Sequence, residues 1–441
     1  MLLLLYNLLL PIVLLIAFPF YLRRMVKRGG YAHNFTQRFG FYSKQLTERF
    51  AQGAWTWIRA VSVGEIVMAL RLLEELKRLS PGLQVLISTT TSTGYALGQQ
   101  WRESRPWIEV IYSPIDFYPI VSACWSRIRP CEVILIDSDL WPSFLAVARA
   151  HQAPVYLANA RLSPRSEKRY LTLRSVTRTL FWRNVTALFA QDQRDAERWS
   201  RVGVSPTQIT VTGSMKYDTA DFVSGTDGRF PAWLAKHGID LDRPILLGGS
   251  LHPGEEELLL TCFHFLRTEF PRLFLILVPR HAERTPEIVQ LLQKEHLSFT
   301  LRSEPNFQHN PSILVVNSTG ELREWYSAAS VVVVGKSFCG VGGQNPVEPI
   351  MAKKPVVVGP HMENFQYLVD ELRRVGGIVQ LHSADALGPT IAGLLRNPAA
   401  ASSLVARASR ALSQHHGAIR RTATLVVEGR TNRLERGGLP K

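Results

Sequence analysis

The stretch from Val331 to Phe365, VVVVGKSFCGVGGQNPVEPIMAKKPVVVGPHMENF, narrows the choice of fold more than any other part of the chain. Four consecutive valines are too few for a helix and suit a strand buried on both faces. A loop follows with glycine at 335, 340, 342 and 343. Asn345 is placed to cap a helix, Pro346 fits its first turn, and Glu348 lies within that turn. A second apolar run, Pro355 to Val358, ends in Gly359-Pro360-His361. The pattern is strand, glycine-rich turn, helix, strand: one βαβ unit, with the turn at the strand's carboxyl end, where open α/β sheets bind ligands. Glycines let the backbone approach a phosphate, and a helix N-terminus attracts one. Glu348 adds a negative charge at that place and makes more sense as an acceptor for sugar hydroxyls, such as a ribose diol. The competing reading is a tight turn without a ligand, but such a turn needs only one or two glycines.

The same rhythm runs through the rest of the chain. Strands are expected at Trp55–Val61, Val85–Ser88, Ile108–Tyr112, Val133–Ile136, Val155–Leu157, Ala187–Ala190 and Ile209–Val211. A second set falls at Ile245–Leu247, Leu273–Val278, Ile313–Val316, Val331–Val334 and Val356–Val358. Strands alternating with helical segments predict an α/β chain with parallel, doubly wound sheets. The length of 441 residues and an apolar fraction of 46% allow two or three domains with cores of their own. The boundaries expected are an N-terminal Rossmann-like domain at 51–215, a second at 216–425 and a basic tail at 426–441. Two such domains facing one cleft is the natural arrangement.

Met1 to Leu22 contains no charged residue. As a helix it would reach roughly 33 Å, enough for a hydrocarbon core of about 30 Å. Arg23, Arg24, Lys27 and Arg28 follow the apolar run rather than precede it, which is the reverse of a secretory signal. The segment 1–22 is therefore read as an uncleaved single-pass anchor, with everything beyond it in the cytoplasm. A monotopic hairpin broken at Pro11 and Pro19 is the other possibility. Residues 23–50 form a basic flank in which Arg38 and Lys44 could hold anionic headgroups, at about 1 kcal/mol per charge; a simple juxtamembrane flank is the equal alternative. The net charge of +15 calls for an anionic partner. Cys124, Cys131, Cys262 and Cys339 lack C-x-x-C spacing, which suggests a reducing compartment and no structural zinc.

Polar clusters sit at the predicted strand ends. Glu65, at the first turn of a helix, is the best candidate for a general base, because its charge is favoured there. The alternative is a carboxylate that only serves the helix dipole. Arg280, after a strand, is a candidate phosphate ligand, with an ordinary surface arginine as the alternative. Lys216 and Asp139 could form a salt bridge across the cleft.

These clusters together resemble the 3-deoxy-D-manno-octulosonic acid (Kdo) transferases of lipopolysaccharide assembly. The match rests on AVSVGE (60–65), STTTSTG (88–94), NARLSPRS (159–166), VTGSMKYD (211–218), GSLHPGEEE (249–257), LVPRHAER (277–284), STGELREWY (318–326), GGQNPVEP and GPHMENF. The resemblance implies a GT-B fold and an inverting transfer, without metal or cofactor, from CMP-Kdo to a lipid A precursor of the lipid IVA type. It implies an inner-membrane enzyme whose partners are that donor, that lipid and the bilayer, with no nucleic acid. Glu65 would be the base, and Asp139 and Lys216 would support the transition state. Pro279, Arg280, Gly320, Glu321, Leu322, Asn345, Pro346, Val347 and Glu348 would hold CMP.

The chain departs from the family pattern in three places. The usual E-T-E is Asp137-Ser138-Asp139, the asparagine after Trp-Pro is Ser143, and the histidine before AVSVGE is Arg59. Two other readings compete with this one: a GT-B transferase of the inner leaflet using a UDP- or ADP-sugar, and a non-catalytic protein binding lipopolysaccharide precursors.

Overall fold

A computed structural model describes residues 1–28, 34–218, 229–240, 242–304 and 311–435. The chain forms two compact units, one of Met1–Asp218 with His415–Lys441 and the other of Thr219–Gln414. Each is built on a seven-stranded parallel sheet.

In the first unit the strands are β1 (Trp55–Arg59), β2 (Gln84–Thr89), β3 (Ile108–Tyr112), β4 (Pro130–Ile136), β5 (Val155–Ala160), β6 (Ala187–Ala190) and β7 (Ile209–Val211). Their order is β3-β2-β1-β4-β5-β6-β7, so the winding reverses between β1 and β4. In the second unit they are β8 (Ile245–Leu251), β9 (Phe274–Pro279), β10 (Phe299–Leu301), β11 (Ile313–Val315), β12 (Val331–Val334), β13 (Val356–Val358) and β14 (Val379–Gln380). The order there is β10-β11-β9-β8-β12-β13-β14, with the reversal between β8 and β12. The interior strands β1, β5, β8 and β12 are fully buried, as helix-covered parallel strands must be. Twelve of the strands lie where the sequence predicts them. The two it does not predict, β10 and β14, are short and close the edges of the second sheet.

Two boundary expectations need correction. Residues 426–441 were expected to be a tail, and the second domain to begin at 216. Instead Ala418–Glu435 is a helix of the first unit, packed on the helix Val63–Leu79. Ile419, Ala423 and Val426 recur at helical spacing and are buried there, and Arg430 pairs with buried Glu132. The returning chain is tied down by Asp218, whose carboxylate accepts the Gly417 N–H at 2.8 Å and the Ile419 N–H at 2.7 Å. Asp218 and Lys216 thus belong to the first unit. Residues 436–441 lie outside the described residues, as do 29–33 of the expected basic flank.

One residue of that flank, Arg38, also differs from expectation. Arg38 is 5% exposed, donates to the Thr90 carbonyl at 2.6 Å and stacks over the Tyr112 ring. It braces the first unit rather than holding a lipid headgroup. The N-terminal helix, Leu2–Arg28, carries Pro11 and Pro19 within it, and its Leu2–Phe20 part is long and apolar enough to cross a membrane.

Candidate active site

Ligands of doubly wound sheets bind outside the carboxyl ends of the strands where the winding reverses. At the reversal of the first unit, β1 delivers Arg59 and β4 delivers Asp137–Asp139. The Arg59 Nε lies 3.0 Å from an Asp139 oxygen, and both side chains are buried. The Trp141 indole donates to the other Asp139 oxygen at 2.5 Å. Two of the departures noted above are therefore a single pair: a long arginine reaches a shortened carboxylate. The expected salt bridge between Asp139 and Lys216 is replaced by this one. Asp137 is a carboxylate whose charge reaches Lys216.

Asp137 and Asn159 both have left-handed backbones, with φ of 58° and 59°. Non-glycine residues rarely adopt this region, and when they do they cluster at functional edges. Asn159 donates to Asp137 at 2.5 Å and accepts the Met215 N–H at 2.9 Å, which holds the Lys216 turn against the β4–β5 edge. Burial raises the Asp137 pKa above the usual carboxylate range. Burial also lowers that of Lys216, and Arg161 lowers it further.

Glu65 opens the helix Val63–Leu79. Ser62 caps this helix by accepting the Glu65 N–H, and Glu65 answers by accepting the Val61 N–H at 2.7 Å and the Ser62 hydroxyl at 3.0 Å. This reciprocal cap satisfies the helix start. The helix start was expected to favour the charge, yet desolvation prevails: burial raises the Glu65 pKa, and Asp137 and Asp139 add to the rise. Glu65 therefore has both a structural bond pattern and the higher proton affinity that a base requires.

In the second unit, the glycine-rich loop after β12 has causes that need no ligand. A Cβ at Gly335 would lie 2.2 Å from the Ser250 carbonyl, and Gly342 and Gly343 have φ of 109° and 68°. The buried Glu255 carboxylate accepts the N–H groups of His252 (2.9 Å), Lys336 (2.7 Å), Ser337 (3.0 Å) and Phe338 (3.1 Å). The backbone donors at the start of the loop are thus committed to Glu255, a residue the sequence offered only as one of three adjacent glutamates.

The remaining predicted residues stand around β8, β9 and β12. Pro279 ends β9, and Arg280 follows it with an exposed guanidinium that has no hydrogen-bond or ion-pair partner among the described residues. Leu322 and Tyr326 pack against the position of Gly249 at the end of β8. Gly320 is left-handed, and Glu321 accepts from Ser318 and from Arg302. Asn345 accepts the Val347 N–H at 3.0 Å, and Pro346 caps a helix of five residues, Val347–Met351. Glu348 is half-buried. Burial raises its pKa, and Arg323, Asn345 and Arg280 oppose that rise, which puts the Arg280 charge within reach of Glu348.

Two Rossmann-like units with their polar residues at the sheet reversals define the GT-B architecture of glycosyltransferases. A UDP-GlcNAc 2-epimerase from Neisseria meningitidis shares the fold, with a TM-score of 0.53 over 85% of this chain and 99% of its own, at 13% identity. The profile of the 3-deoxy-D-manno-octulosonic-acid transferase family matches residues 33–219. The chain is 32% identical to the 3-deoxy-D-manno-octulosonic acid transferase of Bordetella pertussis, over 91% of its length and 93% of the relative's. It is 30% identical to that of Haemophilus influenzae, over 91% and 92%. The chain belongs to the 3-deoxy-D-manno-octulosonic acid transferase family and is a glycosyltransferase.

Proposed function

We propose that this enzyme moves Kdo from CMP-Kdo to a lipid A precursor of the lipid IVA type, at the inner membrane with its catalytic units on the cytoplasmic face. The unit containing Glu65 takes the acceptor, and the unit containing Arg280 takes the nucleotide. Transfer is a direct displacement with inversion: Glu65 accepts the proton of the acceptor hydroxyl as its oxygen attacks the anomeric carbon, and CMP leaves. Lys216 and the Arg59–Asp139 pair stabilise the charge that develops. CMP carries a single phosphate, which one arginine can stabilise without a metal. Arg280 is a guanidinium with no hydrogen-bond or ion-pair partner among the described residues, and Glu348 and Asn345 offer acceptors for the ribose diol.

The observation that carries this reading is Glu65, a half-buried carboxylate of raised proton affinity beside Asp137 and Asp139. The test incubates the detergent-solubilised protein with CMP-Kdo and a tetra-acylated lipid A precursor and counts added sugars by mass. Glu65→Ala should abolish transfer while CMP still binds. Unchanged transfer by that variant removes Glu65 as the base.

A further inference from the structure

The N-terminal helix is not a uniform apolar rod. Between Leu2 and Leu10, residues 2, 3, 6, 7 and 10 are half-buried and the others are exposed, which marks one helical face against the first unit. That face carries two polar residues, Tyr6 and Asn7. The Tyr6 hydroxyl donates to an Asp116 oxygen at 2.9 Å. The Asn7 amide donates to the Ser143 hydroxyl at 3.1 Å and accepts the Tyr118 N–H at 2.7 Å.

Asp116 is 5% exposed and grips the start of the helix Pro142–Ala150, accepting the Ser143 N–H at 3.0 Å and the Phe144 N–H at 2.8 Å. This helix starts three residues after Asp139, and Arg59 stacks on its Phe144 at 4.5 Å while pairing with Asp139. The chain of contacts therefore runs from Tyr6 and Asn7, through Asp116 and Ser143, to the loop that carries Asp139. Burial raises the Asp116 pKa to about 6, in keeping with a carboxyl enclosed by these groups.

We propose that Tyr6 and Asn7 are positioning residues for transfer: they strap the N-terminal helix to the first unit and so fix the Asp139 loop. A helix held at residues 6 and 7 by the catalytic unit cannot carry those residues straight through a bilayer. It lies along the unit with its leucine faces toward lipid, and its N-terminus stays on the catalytic side. Within its own helix the Asn7 amide also donates to the Leu3 carbonyl at 2.9 Å, but its side-chain oxygen takes its donor from the Tyr118 N–H; an oxygen without a donor is costly in hydrocarbon, so Asn7 burdens a plain anchor and suits the strap. The catalytic half of the proposal rests on Asp139 serving transfer as described above; the topological half does not.

Asn7→Leu separates the two roles, because it improves an apolar anchor and breaks a strap. Asn7→Leu and Tyr6→Phe, in the full-length protein, should remain in the membrane fraction and fold, as judged by thermal melting. They should lose about tenfold in kcat with the KM for CMP-Kdo unchanged. Leu8→Ala, on the exposed face, should match the parent. Full turnover by both strap variants overturns the positioning role. Independently of activity, a protease-cleavable epitope placed before Met1 should be cut in inside-out vesicles and protected in spheroplasts. Cleavage in spheroplasts overturns the strap. Absence of Kdo transfer by the parent enzyme would instead count against the assigned reaction, while leaving the topological result to stand or fall by itself.

Discussion

The two units reverse their winding at equivalent places and stitch the reversal in opposite ways. In the first, a side-chain ion pair, Arg59–Asp139, bridges the ends of β1 and β4. In the second, one carboxylate, Glu255, gathers backbone amides from the ends of β8 and β12. Both edges carry backbone irregularity: Asn159 falls at a register shift of β5, and Ser250, with φ of 57°, at one of β8. The difference is in what remains for chemistry. At the first edge several ionisable groups have shifted proton affinities: Glu65 and Asp137 upward, Lys216 downward. At the second, the central carboxylate is saturated by donors, and the groups left to meet a ligand are peripheral, such as Arg280 and Glu348. The first edge thus holds buried ionisable side chains beside one another, whereas the second is held mainly by backbone amides on one carboxylate.

The comparison breaks first at Glu65. Glu65→Gln keeps the shape of the cap and removes the base, so turnover should fall by about 10²–10⁴-fold, while CMP binding measured by calorimetry stays at the parent value. A variant retaining a tenth of the activity would mean that the first edge is not where the proton goes.

The two stitches should respond differently to truncation. Arg59→Ala leaves Asp139 as a buried charge without its cation, at a cost of about 3–5 kcal/mol, and denaturant melts should place that loss in the first unit. Arg59→His combined with Asp139→Glu should recover most of it, since a shorter base then faces a longer acid. Glu255→Gln should lower the melting of the second unit while leaving Glu65-dependent proton chemistry intact. If Arg59→Ala and Glu255→Gln have the same effect on turnover per unit of stability lost, the functional contrast between the edges disappears.

A pH titration sharpens the picture of how the first unit is closed. His415 accepts the Ser214 N–H at 3.0 Å, and burial lowers its pKa to about 4. The folded state therefore holds the neutral ring while the unfolded chain, with a pKa near 6.5, takes up a proton first. Stability from this group is complete above about pH 6.5 and is lost as the pH falls toward 4, up to about 3 kcal/mol. His415→Gln should flatten that part of the stability profile. An unchanged slope would show that other groups drive acid unfolding.

Much of this organisation was legible in the sequence, because buried parallel strands are uninterrupted apolar runs and the turns between them carry the polar motifs. What escaped had weak local signals. The strands β10 and β14 are three and two residues long and lie at sheet edges. The C-terminal helix buries only a few apolar residues among many polar ones, Thr422 among the buried, so its apolar periodicity is diluted. The partnership of Arg59 and Asp139 needed the neighbouring of β1 and β4, strands some seventy residues apart in the chain. Nothing local distinguished Glu255 from Glu256 and Glu257, because only the fold decides which carboxylate points at the β12 loop.

The mildest expected effect falls at the second edge. Among the described residues the Arg280 guanidinium has no hydrogen-bond or ion-pair partner to leave unsatisfied, and it is exposed, so Arg280→Ala should cost little stability. If the arginine pairs with the CMP phosphate, its removal deletes one charge-assisted hydrogen bond, worth about 1.5–3 kcal/mol, and CMP affinity should fall by about 10- to 150-fold. Arg280→Lys should recover part of the loss, because an ammonium supplies charge without the fork of two parallel donors. Calorimetric titration of CMP against cytidine separates the causes: cytidine, which lacks the phosphate, should bind parent and variant alike. An Arg280→Ala variant that loses cytidine as strongly as CMP would place the arginine at the nucleoside instead of the leaving group.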